Sequence, residues 1–198
     1  IVDDIQTGCG RTGTFFSFES AGITPDIICL SKSLSGIGLP LSIVLLAPEH
    51  DLWQPGEHNG TFRGNNLAFV TARAALDFWH DTAFLRRLDQ NIAYLDQRLR
   101  HLLADYDHFA VKGRGMIRGI DVADRALAAR IRHQTFLRGV ILETCGPEDT
   151  VLKLLPPLTI DRATLDEGLA ALAHGLATTR DIATRGSATP RRSASQRP

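Results

Sequence analysis

Four apolar residues, Ile27-Ile28-Cys29-Leu30, run straight into Ser31-Lys32-Ser33 and then into Leu34-Ser35-Gly36. A run this short and apolar, closed by a glycine turn, reads as a buried strand. That strand must end on a lysine. A charge there is costly, and the amine readily gives up its proton. A neutral amine at such a place can attack a carbonyl and form a Schiff base. The alternative is a lysine that leaves the strand end and carries its ammonium back to water along its aliphatic stem. The stretch alone favours the alternative, so the rest of the chain has to decide.

Upstream, Ile1-Val2 leads into Asp3-Asp4-Ile5-Gln6, a strand that runs into acids, and Thr7-Gly8-Cys9-Gly10-Arg11-Thr12-Gly13 is a glycine-rich loop. Thr14–Glu19 is aromatic and reads as a short helical turn, and Thr24-Pro25-Asp26 is a turn. Leu41–Leu46 is a further β-rich run, closed by Pro48. Residues 49–66 are polar and irregular, and contain His58-Asn59-Gly60-Thr61-Phe62-Arg63-Gly64-Asn65-Asn66. From Leu67 the period becomes helical, with Asn66 as N-cap and an end near Trp79. A second helix from Thr82 keeps Leu85, Leu88, Ile92, Leu95, Leu99 and Leu102 at i+3/i+4 steps and so has one buried face. Residues 108–122 read as a strand pair bent at Gly113 and Gly115. A helix spans 124–138 with Asp124 as its cap. Strands follow at Val140–Cys145 and Val151–Leu155, and Asp161 caps a last helix through Leu165, Leu169, Leu172 and Leu176.

Strands and helices alternate to about residue 80, as in part of an α/β sheet domain, and a smaller α+β unit follows over 81–180. Residues 180–198 hold five arginines against the single acid Asp181. With Ser, Ala, Thr and Pro making up most of the rest, residues 181–198 read as a disordered, solvated basic tail. Three widely spaced cysteines make no disulfide framework and fit a reducing cytoplasm. No apolar run is long enough for a membrane-spanning helix and no signal peptide is visible. The seven histidines show no metal-ligand spacing. The first residue lies inside a strand and the only methionine is Met116, so the chain reads as the C-terminal portion of a longer protein.

If Lys32 holds an aldehyde cofactor such as pyridoxal phosphate, that group needs partners. Its ring nitrogen needs a carboxylate to keep its proton, and Asp3, at a strand end of the same sheet, is a candidate. Its phosphate needs backbone N–H groups or hydroxyls, and Thr61 could supply one. A substrate carboxylate needs a cation; Lys153 and several arginines qualify.

The motifs Val2-Asp3-Asp4-Ile5-Gln6-Thr7-Gly8, Gly10-Arg11-Thr12-Gly13, Pro25-Asp26-Ile27-Ile28 and Ser31-Lys32-Ser33 occur in the order and spacing of class III pyridoxal-phosphate aminotransferases, which the chain resembles over nearly all of residues 1–180. Asp3–Glu19, Gly56–Asn66, Lys112-Gly113-Arg114-Gly115-Met116 and Lys153–Ile160 are closer still to the diaminobutyrate–2-oxoglutarate transaminase branch. The resemblance implies an α/β fold, the C-terminal part of a fold-type I aminotransferase. It implies pyridoxal 5'-phosphate as cofactor, small amino and keto acids as substrates, a cytoplasmic homodimer, and neither nucleic acid nor membrane as partner. By position, Lys32 is the Schiff-base lysine and proton-moving base, Asp3 pairs with the pyridine nitrogen, Gln6 lies near the phenolic oxygen, and Thr61 binds the phosphate across a dimer interface.

Lys153 stands where many class III members carry a carboxylate-binding arginine, and it lacks arginine's bidentate fork. The reaction implied is transamination of L-2,4-diaminobutyrate with 2-oxoglutarate, giving L-aspartate 4-semialdehyde and glutamate, in ectoine or siderophore-type biosynthesis. Without the family's N-terminal half the chain alone is expected to be inactive or a weak cofactor binder. The alternatives are another class III omega-aminotransferase, of ornithine or 4-aminobutyrate type, and a truncated domain without catalysis.

Overall fold

The computed structural model describes residues 1–61 and 63–186, with side chains as far as residue 178. Two sheets organise it. The first is three-stranded, in the order β1 (Val2–Asp3), β2 (Ile27–Leu30), β3 (Ile43–Leu46). β1 and β2 run parallel, with Val2 opposite Ile28 and Asp3 opposite Cys29, and β3 returns antiparallel. The 3-10 turn Lys32–Ser35 follows β2 directly. The expected helical turn at Thr14–Glu19 is irregular up to Glu19, where a 3-10 turn begins.

Helix α1 (Asn66–Asp77) lies against that Lys32–Ser35 turn. Its cap is Asn65, one residue before the expected Asn66, because Asn65 is extended and its side chain accepts from the N–H groups of Leu67 and Ala68. Helix α2 (Thr82–Leu102) is capped by Asp81 and buries Phe84, Leu88, Asn91, Leu95 and Leu99 along one face, the amphipathic stripe expected from its leucine spacing.

The second sheet is antiparallel, in the order β4 (Ala110–Arg114), β5 (Ile117–Asp121), β7 (Val151–Leu154), β6 (Glu143–Cys145). Helix α3 (Arg125–Phe136), capped by Asp124, and helix α4 (Arg162–Gly186) pack on one another beside it. The stretch Val140–Leu142 is not part of β6; the Val140 N–H bonds instead to the carbonyl of Thr135 at the end of α3. Helix α4 extends six residues beyond Arg180, and the remainder of the expected tail, 187–198, lies outside the described residues.

The main core belongs to this second unit, where Leu88, Leu95, Leu99, Ile120, Ile131, Leu152, Leu172 and Leu176 are all essentially inaccessible. The core under the first sheet is small: Cys9, Leu30 and Leu34, with Phe15, Phe16, Ile28, Leu41 and Ile43 around them. Of β2, the expected buried strand, only Leu30 is fully buried. Correspondingly, Val44, Leu67, Phe69 and Val70 stay exposed. Among the described residues no helix is long and apolar enough to cross a membrane.

The units are tied by polar contacts around the glycine-rich loop. The Met116 N–H donates to the Arg11 carbonyl at 2.8 Å, and the Arg11 guanidinium donates to the Pro156 carbonyl at 2.5 Å. Arg114 donates to the Ser20 hydroxyl and the Ser17 carbonyl. Burial pushes the Arg11 guanidinium down from its ordinary value.

Candidate active site

Parallel pairing of β1 and β2 sends both carboxyl ends to the same edge of the sheet, where ligands of α/β sheets gather. Asp3 is the last residue of β1, and Lys32 comes three residues after its partner Cys29. The Asp3 carboxylate is oriented by the Ile5 N–H, which donates to its Oδ1 at 3.0 Å. Lys32 has φ +47°, a left-handed conformation that is strained for a residue with a side chain. Strain of this kind gathers where the backbone aims a group at a ligand. The side chain is exposed, so this chain's own residues do not bury the amine as the reading of a buried strand end implied.

Next to Asp3, Asp4 is 1% exposed. It accepts from the Thr7 hydroxyl at 2.9 Å, the Ser17 N–H at 2.9 Å and the Ser17 hydroxyl. This buried carboxylate pins both ends of the glycine-rich loop and so fixes the path of the chain between Asp3 and Gln6. It also acts on Cys9. Burial first, and the Asp4 charge second, push the Cys9 thiol up to about 11. The sign follows: Cys9 keeps its proton at neutral pH, and the stability this contributes is lost as pH rises from the ordinary thiol range, about 8.5, towards that raised value. Alkylation with iodoacetamide at mildly alkaline pH, followed by mass spectrometry, should modify the half-buried Cys29 and Cys145 well before Cys9; equal rates would contradict the burial.

Gln6 reaches the second unit. It lines a cleft of about 560 Å³ together with Lys112, Arg118, Gly119, Asp121 and Lys153. The floor is the face of the second sheet turned away from the core. In register across its four strands stand Lys112, Gly119, Lys153 and Glu143, and residues in register share a face. Lys112 Nζ lies 2.6 Å from Asp121, and Lys153 Nζ lies 2.5 Å from Glu143. The hydrogen bond and charge of Lys153 hold the Glu143 carboxyl below its ordinary range, and the Lys32 charge adds to this.

Lys32 and Asp3 are thus brought to one sheet edge, and Gln6 and Lys153 to one cleft. Thr61 is exposed on the long loop before α1 and does not line that cleft. Glu143 was not singled out from the sequence; its signal, a glutamate facing Lys153, exists only once the β6–β7 register is known.

The class III aminotransferase family model matches residues 1–176. The chain belongs to the class III aminotransferase family, and its fold is the C-terminal part of the family's α/β architecture. It is similar to the diaminobutyrate–2-oxoglutarate transaminase of Halalkalibacterium halodurans, 52% identical over 178 residues, which is 89% of this chain and 42% of that protein. A transaminase of the same name from Bordetella parapertussis is 54% identical over 181 residues, again 89% of this chain and 42% of the relative. Among solved structures, the ornithine delta-aminotransferase of Plasmodium falciparum superposes with a TM-score of 0.79 at 31% identity, covering 90% of this chain and 46% of that one. The chain therefore spans less than half the length of each of these relatives.

Proposed function

We propose that this chain carries the lysine-bearing portion of a diaminobutyrate–2-oxoglutarate transaminase, which moves an amino group between L-2,4-diaminobutyrate and 2-oxoglutarate. The observation that carries the reading is the strained Lys32 set beside Asp3 at the carboxyl ends of two parallel strands. The two relatives described above, both named for this reaction, support it.

The donor set fits pyridoxal 5'-phosphate: a primary amine on a forced backbone, an oriented carboxylate for a ring nitrogen, and an amide from Gln6. Such a cofactor, when bound, supplies an electron sink for the carbon that loses its proton. Lys32 would hold it through its amine, and the same amine would move the proton at the substrate carbon. Asp3 holds the proton on the ring nitrogen, and Gln6 hydrogen-bonds near the phenolic oxygen. Thr61 binds the phosphate of a neighbouring subunit's cofactor in a homodimer. Lys153 takes a substrate carboxylate as a point charge. A cytoplasmic role in ectoine or siderophore-type biosynthesis belongs to the same reading.

Without the family's N-terminal half the chain is expected to be inactive, so the test joins it to that half of a relative and follows glutamate formation from 2-oxoglutarate with pyridoxal phosphate present and diaminobutyrate, ornithine or 4-aminobutyrate as donor. Diaminobutyrate should be the fastest donor. A faster rate with ornithine or 4-aminobutyrate would move the protein to another branch of the family, and no glutamate from any donor would remove the activity from this chain.

A further inference from the structure

Lys153 is not a free cation waiting for a carboxylate. It is already paired, at 2.5 Å, with a glutamate in register across the β6–β7 ladder. Its side chain is only 18% exposed, whereas that of Glu143 is 65% exposed. On the other side of Lys153 stands Gly119, where the Val151 side chain occupies the place that a side chain would take. The row thus offers an arriving ligand an ammonium and a carboxylate side by side.

The valences agree with a second ligand of mixed charge. An ammonium has three donors, so Lys153 keeps two after serving Glu143. A carboxylate has about four acceptor positions, so Glu143 keeps most of its own. A ligand end that is only a carboxylate gains from Lys153 but meets the Glu143 charge at once. A ligand end carrying an ammonium and a carboxylate on one carbon has two opposite charges at about the spacing of this ion pair, and meets each with its complement.

We propose that Glu143 is a substrate-binding residue that, together with Lys153, recognises the zwitterionic α-carbon end of a diamino acid while the distal amine is presented to Lys32. This rests on the reading of the chain as a transaminase of diaminobutyrate, and deepens it by assigning the selection of a diamino acid over a plain ω-amino acid to one carboxylate. Gln6, three residues after Asp3 at the Lys32 edge of the first sheet, lines the same cleft as Lys153 and so marks the side on which Lys32 lies.

The experiment is calorimetric titration of the chain with diaminobutyrate and, separately, with 4-aminobutyrate. Both are run in saturating pyridoxamine phosphate, whose amine cannot condense with either ligand, so the heat reports recognition alone. The wild type should bind diaminobutyrate at least tenfold more tightly. Glu143→Gln should weaken diaminobutyrate about tenfold and leave 4-aminobutyrate unchanged or tighter, and Glu143→Asp should restore part of the preference. Because Glu143 is largely exposed, these variants should melt with the wild type, and the melting curve checks this. Equal affinities in the wild type, a preference that survives Glu143→Gln, or no binding of diaminobutyrate would each overturn the assignment. Turnover is scored separately, in the protein that joins this chain to the family's N-terminal half: preference without transamination there would refute the proposed activity and leave the Glu143 assignment standing.

Discussion

In the protein that joins this chain to the family's N-terminal half, Lys32→Ala should abolish transamination, by about 10³-fold or more, because the residue acts both as the point of covalent attachment and as the proton-moving base. The same variant should lose the visible absorbance that appears when pyridoxal phosphate is added to the wild type. Alanine keeps the strained φ of +47°, so its stability should stay close to that of the wild type. Lys32→Gly separates chemistry from folding. Glycine adopts the left-handed region without steric cost, which for other residues is about 1–2 kcal/mol, and part of that gain is offset by its unfolded-state freedom. Lys32→Gly should therefore unfold at higher urea than the alanine variant, by up to about 1 kcal/mol, while being just as inactive. A glycine variant no more stable than the alanine variant would mean that the backbone is not strained there. Retained absorbance in either variant would place the attachment elsewhere.

What could be read from the residues alone followed from local physics. The helices were legible because α2 and α4 carry a leucine stripe and α3 and α4 an aspartate cap, at Asp124 and Asp161, while the Asp81 cap of α2 emerges only from the structure. The Asn65/Asn66 cap was off by one, since two adjacent asparagines are chemically alike and only the backbone decides which is extended. Val140–Leu142 looked like strand because its residues are β-prone, but a strand also needs a partner, and the end of α3 takes the Val140 N–H first.

Of the site, the motif order made Asp3 and Lys32 readable, and parallel pairing gives the reason they meet. The exposure of Lys32 could not be read, because burial depends on what packs over a strand end and not on the strand. Nor could its backbone strain, which no residue type announces when that residue is lysine. The Lys153–Glu143 pair depends on a register between two short strands, which composition does not encode.

A close approach of two backbones makes Gly115→Ala a substitution with a large expected effect on stability. Gly115 closes the β4–β5 hairpin with φ +61°, and a Cβ there would lie 2.4 Å from the Arg11 carbonyl oxygen and 2.5 Å from the Thr12 carbonyl carbon. Both are backbone atoms, so no side chain can swing aside; the loop or the hairpin must move. The left-handed conformation alone costs alanine about 1–2 kcal/mol, and forced overpacking adds about 1–3 kcal/mol. The total, about 2–5 kcal/mol, is a large share of a typical domain's stability. Gly22→Ala isolates the first contribution: Gly22 has a nearly equal φ of +64° and nothing within 4 Å of its added Cβ. Urea unfolding should place the Gly22 variant about 1 kcal/mol below the wild type and the Gly115 variant well below that. The damage should also reach the chemistry. Movement at Gly115 strains the Met116–Arg11 hydrogen bond and the Arg114 contacts to Ser17 and Ser20, which hold the cleft between Gln6 and Lys153. Misplacement by about 1 Å at a reacting centre costs on the order of 10²-fold in rate, so the Gly115 variant should be slow even at temperatures where it is folded. Equal unfolding midpoints for the two alanine variants would show that the hairpin and the glycine-rich loop do not press on one another at this point.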